Sequence, residues 1–165
     1  MHKIIVTGPE SSRKTTLCKA LSKHFNLPFS KEFAREYLDV LNRDYNQGDL
    51  LKIAKGQLKS EQNTQLLDTD LITLKIWSNY KYGNCNKWIL EQIEKQKFEK
   101  RFYLLCKSDI PWESDPLREN SNDREELFGI YKKELQYLDH NYFIVEGGNR
   151  TKNSISKISP LISLI

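Results

Sequence analysis

The segment that joins the first apolar run to the first helical pattern constrains the fold of this chain most strongly. Residues 3–7 read KIIVT, a short β-branched run typical of a buried strand, and the run ends at Gly8-Pro9. A helical pattern follows from about Lys14 to Phe25, with apolar residues four positions apart. Between them, Gly8–Thr15 reads GPESSRKT and nearly matches the phosphate-binding sequence G-x-x-x-x-G-K-[ST]. A strand, a tight loop and a helix in this order favour an α/β domain that binds a nucleotide.

This loop predicts a site for the phosphate groups of ATP. Backbone N–H groups of such a loop face inward, and the following helix presents the positive end of its dipole. We expect Lys14 to reach the β- and γ-phosphates, Thr15 to ligate Mg²⁺ and Thr16 to bind the α-phosphate. The expected cofactors are ATP and Mg²⁺, and the expected cofactor-binding residues are Gly8, Ser11, Ser12, Arg13, Lys14, Thr15 and Thr16.

Arg13 stands where the phosphate-binding pattern has its second glycine. A side chain lies there at a point where backbone and phosphate approach closely. It would clash with the phosphates or force the loop open, or its guanidinium would swing outward and add a charge near the nucleotide. We therefore expect Arg13 to weaken nucleotide binding. A serine-rich loop that only caps a helix remains the alternative.

The rest of the chain alternates apolar runs with helical patterns. We expect extended segments at 27–30, 66–67, 101–107 and 141–146, and helices at about 31–41, 49–62, 71–80, 88–97 and 123–138, with a short tail helix that stops before Pro160. Asp123 and Glu126 are spaced as a capping box. This alternation predicts a three-layer α/β fold in which a mainly parallel sheet is flanked by helices. We expect one domain over residues 1–165, with an exposed loop at about 108–124 in the position of a kinase lid.

Composition and charge exclude several classes of protein. The chain has 165 residues, of which 38% are apolar, which fits a single folded domain. No run approaches the ~20 apolar residues that cross a bilayer, and no secretory signal is expected, so we expect a cytoplasmic protein with no membrane partner. The net charge of +4 comes from mixed charges without a basic stripe, so no nucleic-acid partner is expected. Three widely spaced cysteines predict neither a disulfide framework nor a zinc site.

Several segments, in order along the chain, resemble the ribosylnicotinamide kinase domains of the NadR type, an AAA-like ATP-binding family. The first is GPESSRKTTLCKAL, where the loop of the family reads GPESSGKT. The others are EFAREY at 32–37, DTDL at 68–71, IWSNYKYG at 76–83, and DIPWE with DPLR at 109–118. Arg13 and the short polar C-terminal segment depart from the family.

The resemblance implies the fold of small-molecule P-loop kinases and a specific reaction. ATP would phosphorylate the ribose 5′-hydroxyl of nicotinamide riboside, the expected small-molecule partner, to give nicotinamide mononucleotide. Family members occur alone or fused to an adenylyltransferase domain, and we expect no second domain here. A kinase with another nucleoside or small-molecule acceptor remains open, as does a nucleotide-binding protein whose catalysis Arg13 impairs. The residues give no signal for the oligomeric state.

Phosphoryl transfer requires positioning, charge neutralisation and a group that orients the attacking hydroxyl. Asp68 and Asp70 follow a short apolar strand whose end is expected beside the loop. We assign Asp68 to the metal and Asp70 to the substrate, with helix N-capping as the alternative. Glu32 and Arg35 share one helical face and are expected to bracket a ribose and a phosphate, although a surface ion pair would have the same spacing.

Aromatic and basic side chains complete the expected site. Trp77 and Trp88 are candidates for stacking on the cationic pyridinium ring, each with a place in the core as the alternative. Arg118 and Arg124 are expected to fold over the phosphates, neutralise charge in the transition state and exclude water. The expected catalytic residues are Lys14, Asp70, Arg118 and Arg124; the expected substrate-binding residues are Glu32, Arg35, Asp70, Trp77 and Trp88.

Overall fold

A computed structural model describes residues 1–109 and 123–162. Its strands are β1 (Lys3–Thr7), β2 (Phe29–Ser30), β3 (Leu66–Asp68), β4 (Arg101–Cys106) and β5 (Asn141–Val145). Its helices are α1 (Lys14–Phe25), α2 (Phe33–Asp39), α3 (Gln47–Ser60), α4 (Leu71–Tyr82), α5 (Lys87–Gln96), α6 (Arg124–Tyr137) and α7 (Arg150–Ile158), and a 3₁₀ turn follows at Ser159–Leu161. None of these helices is long and apolar enough to cross a bilayer.

The strands form one parallel sheet in the order β2–β3–β1–β4–β5. The central strand β1 lies between β3 and β4, with Val6 opposite both Asp68 and Leu104. Its residues Ile4, Ile5 and Val6 are fully buried, as expected for a strand that is covered on both faces. Because all strands run in one direction, their carboxyl ends meet at one edge of the sheet, where the loop after β1 lies.

Two apolar cores separate the sheet from the helices on its two faces. Successive strand residues point to opposite faces, so Ile5 packs with helices α3, α4, α5 and α6, whereas Ile4 and Val6 pack with α1 and α7. This arrangement confirms the predicted three-layer α/β fold with helices on both faces of a parallel sheet.

Several helix starts differ from the prediction; α2, for example, begins at Phe33 rather than near Lys31. Helix α3 begins at Gln47 rather than Asp49, because the Asn46 side chain accepts from the Asp49 amide while the Asp49 carboxylate accepts from the Asn46 amide. At α6, Asp123 holds the N-cap position without a side-chain capping bond, and Glu126 accepts from the Tyr80 hydroxyl at 3.1 Å. The predicted capping box at Asp123 is therefore wrong. The tail helix α7 ends before Pro160, as predicted.

Candidate functional site

The loop between β1 and α1 is a tight turn held by its own backbone. Gly8 has φ 136°, and a Cβ atom there would lie 2.5 Å from the carbonyl oxygen of Cys106, so β4 leaves room only for glycine. The Ser12 hydroxyl and the Lys14 ammonium both donate to the Pro9 carbonyl oxygen, at 2.6 Å and 2.8 Å. These bonds curl the loop over the amino end of α1, where a helix binds anions.

Arg13 occupies the backbone conformation that a glycine adopts without cost. Its φ of 59° and ψ of 36° are left-handed, and it stands at the N-cap of α1 without a side-chain capping bond. A non-glycine residue is destabilised by roughly 1–2 kcal/mol in this conformation because its Cβ approaches the neighbouring carbonyl. The arginine side chain is exposed and borders the cleft described below.

Thr15 and Asp68 form a direct contact beneath the loop. Thr15 lies at the start of α1, and its hydroxyl donates to Asp68 Oδ2 at 2.6 Å. The other oxygen, Oδ1, is buried without a hydrogen-bond partner among the described residues. Burial raises the pKa of Asp68 to about 6, with a further contribution from Glu32, against the opposing effects of Thr15 and Lys14. A hydroxyl and a buried, unsatisfied carboxylate oxygen form a donor set that suits Mg²⁺.

A cleft of about 420 Å³ opens beside this loop. The loop and the start of α1 form one wall, with residues 8–16. The opposite wall comes from the start of α2 and from α4 and α6, with Glu32, Ala34, Arg35, Leu38, Thr73, Ile76, Trp77, Tyr80, Leu127 and Tyr131. Crevices at the carboxyl edge of a parallel sheet are the usual ligand sites of such folds.

The structure brings most of the predicted site residues to this cleft. Gly8, Ser11, Ser12, Arg13, Lys14, Thr15 and Thr16 lie on the loop side, and Glu32, Arg35 and Trp77 lie opposite them. Asp68 lies beneath, bound to Thr15. The Trp77 indole donates to the Tyr45 hydroxyl at 2.8 Å, and the two rings meet edge to face with centroids 5.0 Å apart. Trp77 is thus held in a defined orientation at the cleft.

Asp70 does not line this cleft but borders a small cavity together with Glu32 and Trp77, which corrects its assignment to direct contact with the substrate. It is 1% exposed and caps α4, with Oδ1 accepting from the Ile72 amide at 3.1 Å. Its Oδ2 accepts from Arg101 at 2.9 Å and from the Tyr103 hydroxyl at 2.7 Å. Thr69, with φ 66°, turns the chain between Asp68 and Asp70. Asp70 therefore has the alternative role stated for it from the sequence, that of a helix N-cap.

Trp88 also lies away from the cleft. It is the second residue of α5, packs against the core cluster on that face of the sheet, and has the Lys55 ammonium 5.5 Å from its ring centroid. Helix α5 is described over its whole length, and none of its residues borders the cleft. The core interpretation of Trp88 therefore replaces the stacking one.

Of the two predicted lid arginines, Arg124 is described and Arg118 lies outside the described residues, as does most of the expected lid. Arg124 is the first residue of α6, and its Nη1 donates to the Ser11 carbonyl oxygen at 3.4 Å. A guanidinium thus contacts the backbone of the phosphate-binding loop from a distant part of the chain.

Arg150 and Thr73 were missed from the sequence. Arg150 donates to the Ser12 carbonyl oxygen at 3.1 Å and to the Lys107 carbonyl oxygen at 2.8 Å, and it pairs with Asp109. The sequence feature that would have indicated Arg150 is its position just after β5, because the carboxyl ends of parallel strands lie at the edge of the sheet that binds ligands. Thr73 lines the cleft one helical turn before Trp77, so its spacing placed it on the same face.

Comparison with known sequences identifies a family and a curated relative of this chain. Residues 3–152 match a family described as AAA domain. The trifunctional NAD biosynthesis/regulator protein NadR of Escherichia coli K12 is 26% identical over 158 residues. That alignment covers 87% of this chain and 38% of NadR, so the chain spans well under half of its curated relative.

Solved structures share the fold. A NadR structure in complex with NR matches with a TM-score of 0.76 and 24% identity, over 99% of this chain and 53% of that one. A NadR complex with NAD and AMP-PNP matches with a TM-score of 0.69 and 25% identity, over 99% and 51% of the two chains. A deoxyadenosine kinase from M. mycoides matches at 0.65 and 14% identity, over 98% and 100%. The chain therefore belongs to the AAA domain family and has the P-loop kinase fold that NadR shares.

Proposed function

We propose that this chain transfers the γ-phosphoryl group of ATP, with Mg²⁺, to the ribose 5′-hydroxyl of nicotinamide riboside, giving nicotinamide mononucleotide. One observation carries the proposal: a single cleft joins the phosphate-binding loop to a wall that contains Glu32, Arg35 and Trp77. The NadR match, to a protein named for NAD biosynthesis, supports this acceptor.

On the donor side, the loop binds and neutralises the phosphates. The Lys14 ammonium donates a hydrogen bond to the Pro9 carbonyl oxygen of the same loop. When nucleotide binds, Lys14 exchanges this partner for the phosphates. Thr15 and Asp68 would hold Mg²⁺, which neutralises charge on the β- and γ-phosphates when bound. Mg²⁺ is commonly held by one or two protein oxygens together with substrate phosphates and water, which fits a site that offers Thr15 and Asp68.

On the acceptor side, a carboxylate and an aromatic ring select and orient the riboside. Glu32 stands at the N-cap of α2 without a side-chain capping bond, so its carboxylate is not tied to the helix end. It orients the attacking hydroxyl in place of Asp70, with Arg35 on the same wall. Trp77, held by Tyr45, offers its ring to the pyridinium cation. Asp70 acts as a positioning residue, because it holds the start of the helix that carries Trp77.

The test is release of ADP from Mg-ATP with nicotinamide riboside, measured for the natural chain and for Arg13→Gly. We expect turnover in at least the glycine variant, with product identified as the mononucleotide. Lys14→Ala should lose about 10²–10³-fold in kcat, because it removes a charge that acts in the transition state. Lys19→Ala, an exposed lysine on the same helix, is the matched control.

The acceptor is tested with related compounds. Dihydronicotinamide riboside keeps the ribose but lacks the positive charge, so we expect it to bind less tightly than nicotinamide riboside if Trp77 stacks on the cation. Deoxyadenosine tests a nucleoside acceptor. Turnover with deoxyadenosine alone would replace the proposed acceptor but retain the kinase. Full activity of Lys14→Ala would remove the phosphate-loop mechanism itself.

A further inference from the structure

Arg150 binds the phosphate-binding loop at the peptide that precedes the unusual residue. Its Nη1 donates to the Ser12 carbonyl oxygen at 3.1 Å, and its Nη2 donates to the Lys107 carbonyl oxygen at 2.8 Å. It also pairs with the Asp109 carboxylate, whose second oxygen accepts from the Gly147 amide at 2.8 Å. One guanidinium therefore ties the loop to the ends of β4 and β5.

The hydrogen bond from Arg150 to the Ser12 carbonyl fixes the orientation of the whole Ser12–Arg13 peptide unit. A peptide unit is planar and trans, so the Ser12 carbonyl and the Arg13 N–H point in opposite directions. When Arg150 holds the carbonyl, the Arg13 amide is directed away from Arg150. In a phosphate-binding loop, the directions of these amides decide whether the loop can bind an anion.

This peptide leads into Arg13, one of two non-glycine residues in the loop with a positive φ; the other is Ser11, with φ 55°. Arg13 has φ 59°, in the left-handed region that a glycine would adopt freely. A residue in such a conformation persists only when its surroundings hold it there. Rotation of the Ser12–Arg13 peptide would relieve the strain, but it would also break the bond from Arg150.

We infer that Arg150 is a positioning residue that holds the Ser12–Arg13 peptide in place and so lets the loop keep its turn without the motif glycine. The consequence for nucleotide affinity rests on the proposed function, whereas the consequence for the loop does not. The Asp109 carboxylate orients the guanidinium. A lysine lacks the forked donors that reach Ser12, Lys107 and Asp109 together.

A double-mutant cycle on unfolding tests the inference without any ligand. The four chains are the natural one, Arg150→Met, Arg13→Gly and the combination, and the readout is the urea midpoint at constant slope. We expect Arg150→Met to lower the midpoint more in the natural chain than in the Arg13→Gly background, because glycine needs no support for a positive φ. Lys152→Met, an exposed cation on the same helix, should show no such difference. Equal losses in the two backgrounds would overturn the inference.

Nucleotide titration then tests the consequence. We expect Arg150→Met to weaken Mg-ATP binding about tenfold in the natural chain and much less in the Arg13→Gly background. Arg150→Lys should fall between, because it keeps the charge and loses the fork. Equal weakening in both backgrounds would contradict the consequence for nucleotide affinity, even if unfolding showed that Arg150 supports the loop. If unfolding shows coupling and no variant binds Mg-ATP, the loop inference holds and the proposed kinase function fails.

Discussion

At the residue scale, Asp68 and Asp70 show how neighbouring carboxylates acquire different roles. Asp68 ends β3 at the ligand edge of the sheet and contacts Thr15. Thr69 has φ 66°, which is rare for a β-branched residue, and its amide donates to the Val6 carbonyl at 2.9 Å. This turn sends Asp70 into the buried layer beneath α4, where Arg101 binds it. The pattern Asp-x-Asp alone does not specify that turn.

Arg13→Gly is predicted to stabilise the fold by about 1 kcal/mol and to tighten Mg-ATP binding, because glycine adopts the positive φ without strain. Equilibrium urea unfolding and calorimetric titration measure the two effects. Arg13→Ala separates their causes. It retains the strained backbone and removes the guanidinium, so it should leave stability nearly unchanged. Unaltered ATP affinity in the glycine variant would show that the loop tolerates arginine.

Trp77→Leu is predicted to raise KM for nicotinamide riboside about three- to thirtyfold, because it removes the ring offered to the cation. KM for ATP should change little. Trp88→Leu is the matched control, since its ring packs on the core away from the cleft, and it should lower stability rather than acceptor affinity. Steady-state kinetics with each substrate varied make the comparison. A larger KM effect at Trp88 would reverse the placement of the two tryptophans.

At the element scale, α3 positions the start of α2 and with it one wall of the cleft. A Cβ atom on Gly56 would lie 2.2 Å from the Phe33 ring, so the two helices pack in contact. The Gln57 side chain accepts from the Phe33 amide at 3.0 Å, next to Glu32. Asp49, in the first turn of α3, accepts from the Tyr37 hydroxyl at 2.7 Å and pairs with Arg43 at 2.8 Å. These contacts fix α2, which carries Arg35.

Asp49→Asn is predicted to destabilise the protein at pH 7, with a loss that shrinks in acid. The Arg43 and Tyr37 hydrogen bonds lower the pKa of Asp49 below its usual value. Because the pKa of Asp49 is lower in the folded state, its ionised carboxylate stabilises the folded protein at pH values above the unfolded pKa of about 3.9. This stabilisation is lost as the pH falls towards the folded pKa. Urea unfolding at pH 7 and pH 3 measures this. Asp39→Asn, an exposed aspartate on α2, should show no such trend; a loss that is independent of pH would contradict the ion-pair explanation.

At the scale of the whole molecule, Arg101 joins the sheet to two helices. Arg101 is the first residue of β4, and its guanidinium is buried. It binds Asp70, at the start of α4, at 2.9 Å and Glu61, at the end of α3, at 3.4 Å. Tyr103 contacts the same arginine at 3.2 Å. Burial raises the pKa of Glu61, while the Arg101 charge opposes that rise. The network therefore couples the interior of the fold to the helix that carries Trp77.

Arg101→Ala is predicted to cost about 3–5 kcal/mol of unfolding free energy, because it leaves buried carboxylates unpaired. Asp70→Asn in the Arg101→Ala background should recover part of that loss, since it removes one of those charges. Lys87→Ala is the control: it breaks a solvent-exposed pair with Glu91, 3.7 Å apart, and should change stability little. Urea unfolding of the four chains decides. A loss at Arg101 no larger than that at Lys87 would mean the network adds nothing to stability.

The amino-acid sequence by itself determined the strand–loop–helix unit around the loop Gly8–Thr15, the alternation of strands and helices, and the position of Trp77 on α4. These features depend on local periodicity, on turn residues and on a motif whose residues are adjacent in the chain. The roles proposed from them for Lys14, Thr15 and Asp68 remain predictions, supported by the Thr15–Asp68 contact.

Only the tertiary structure decided which distant side chains meet. Arg150 lies far along the chain from Ser12, yet it donates to the Ser12 carbonyl because the parallel sheet brings its strand ends to one edge. Asp70 and Trp88 have the residue types of a site, but neither lines the cleft. The turn at Thr69 buries Asp70 at a small cavity that it shares with the cleft residues Glu32 and Trp77, and the packing of α5 places Trp88 away from the cleft. Burial and partner choice depend on the packing of separate elements, which a local pattern does not specify.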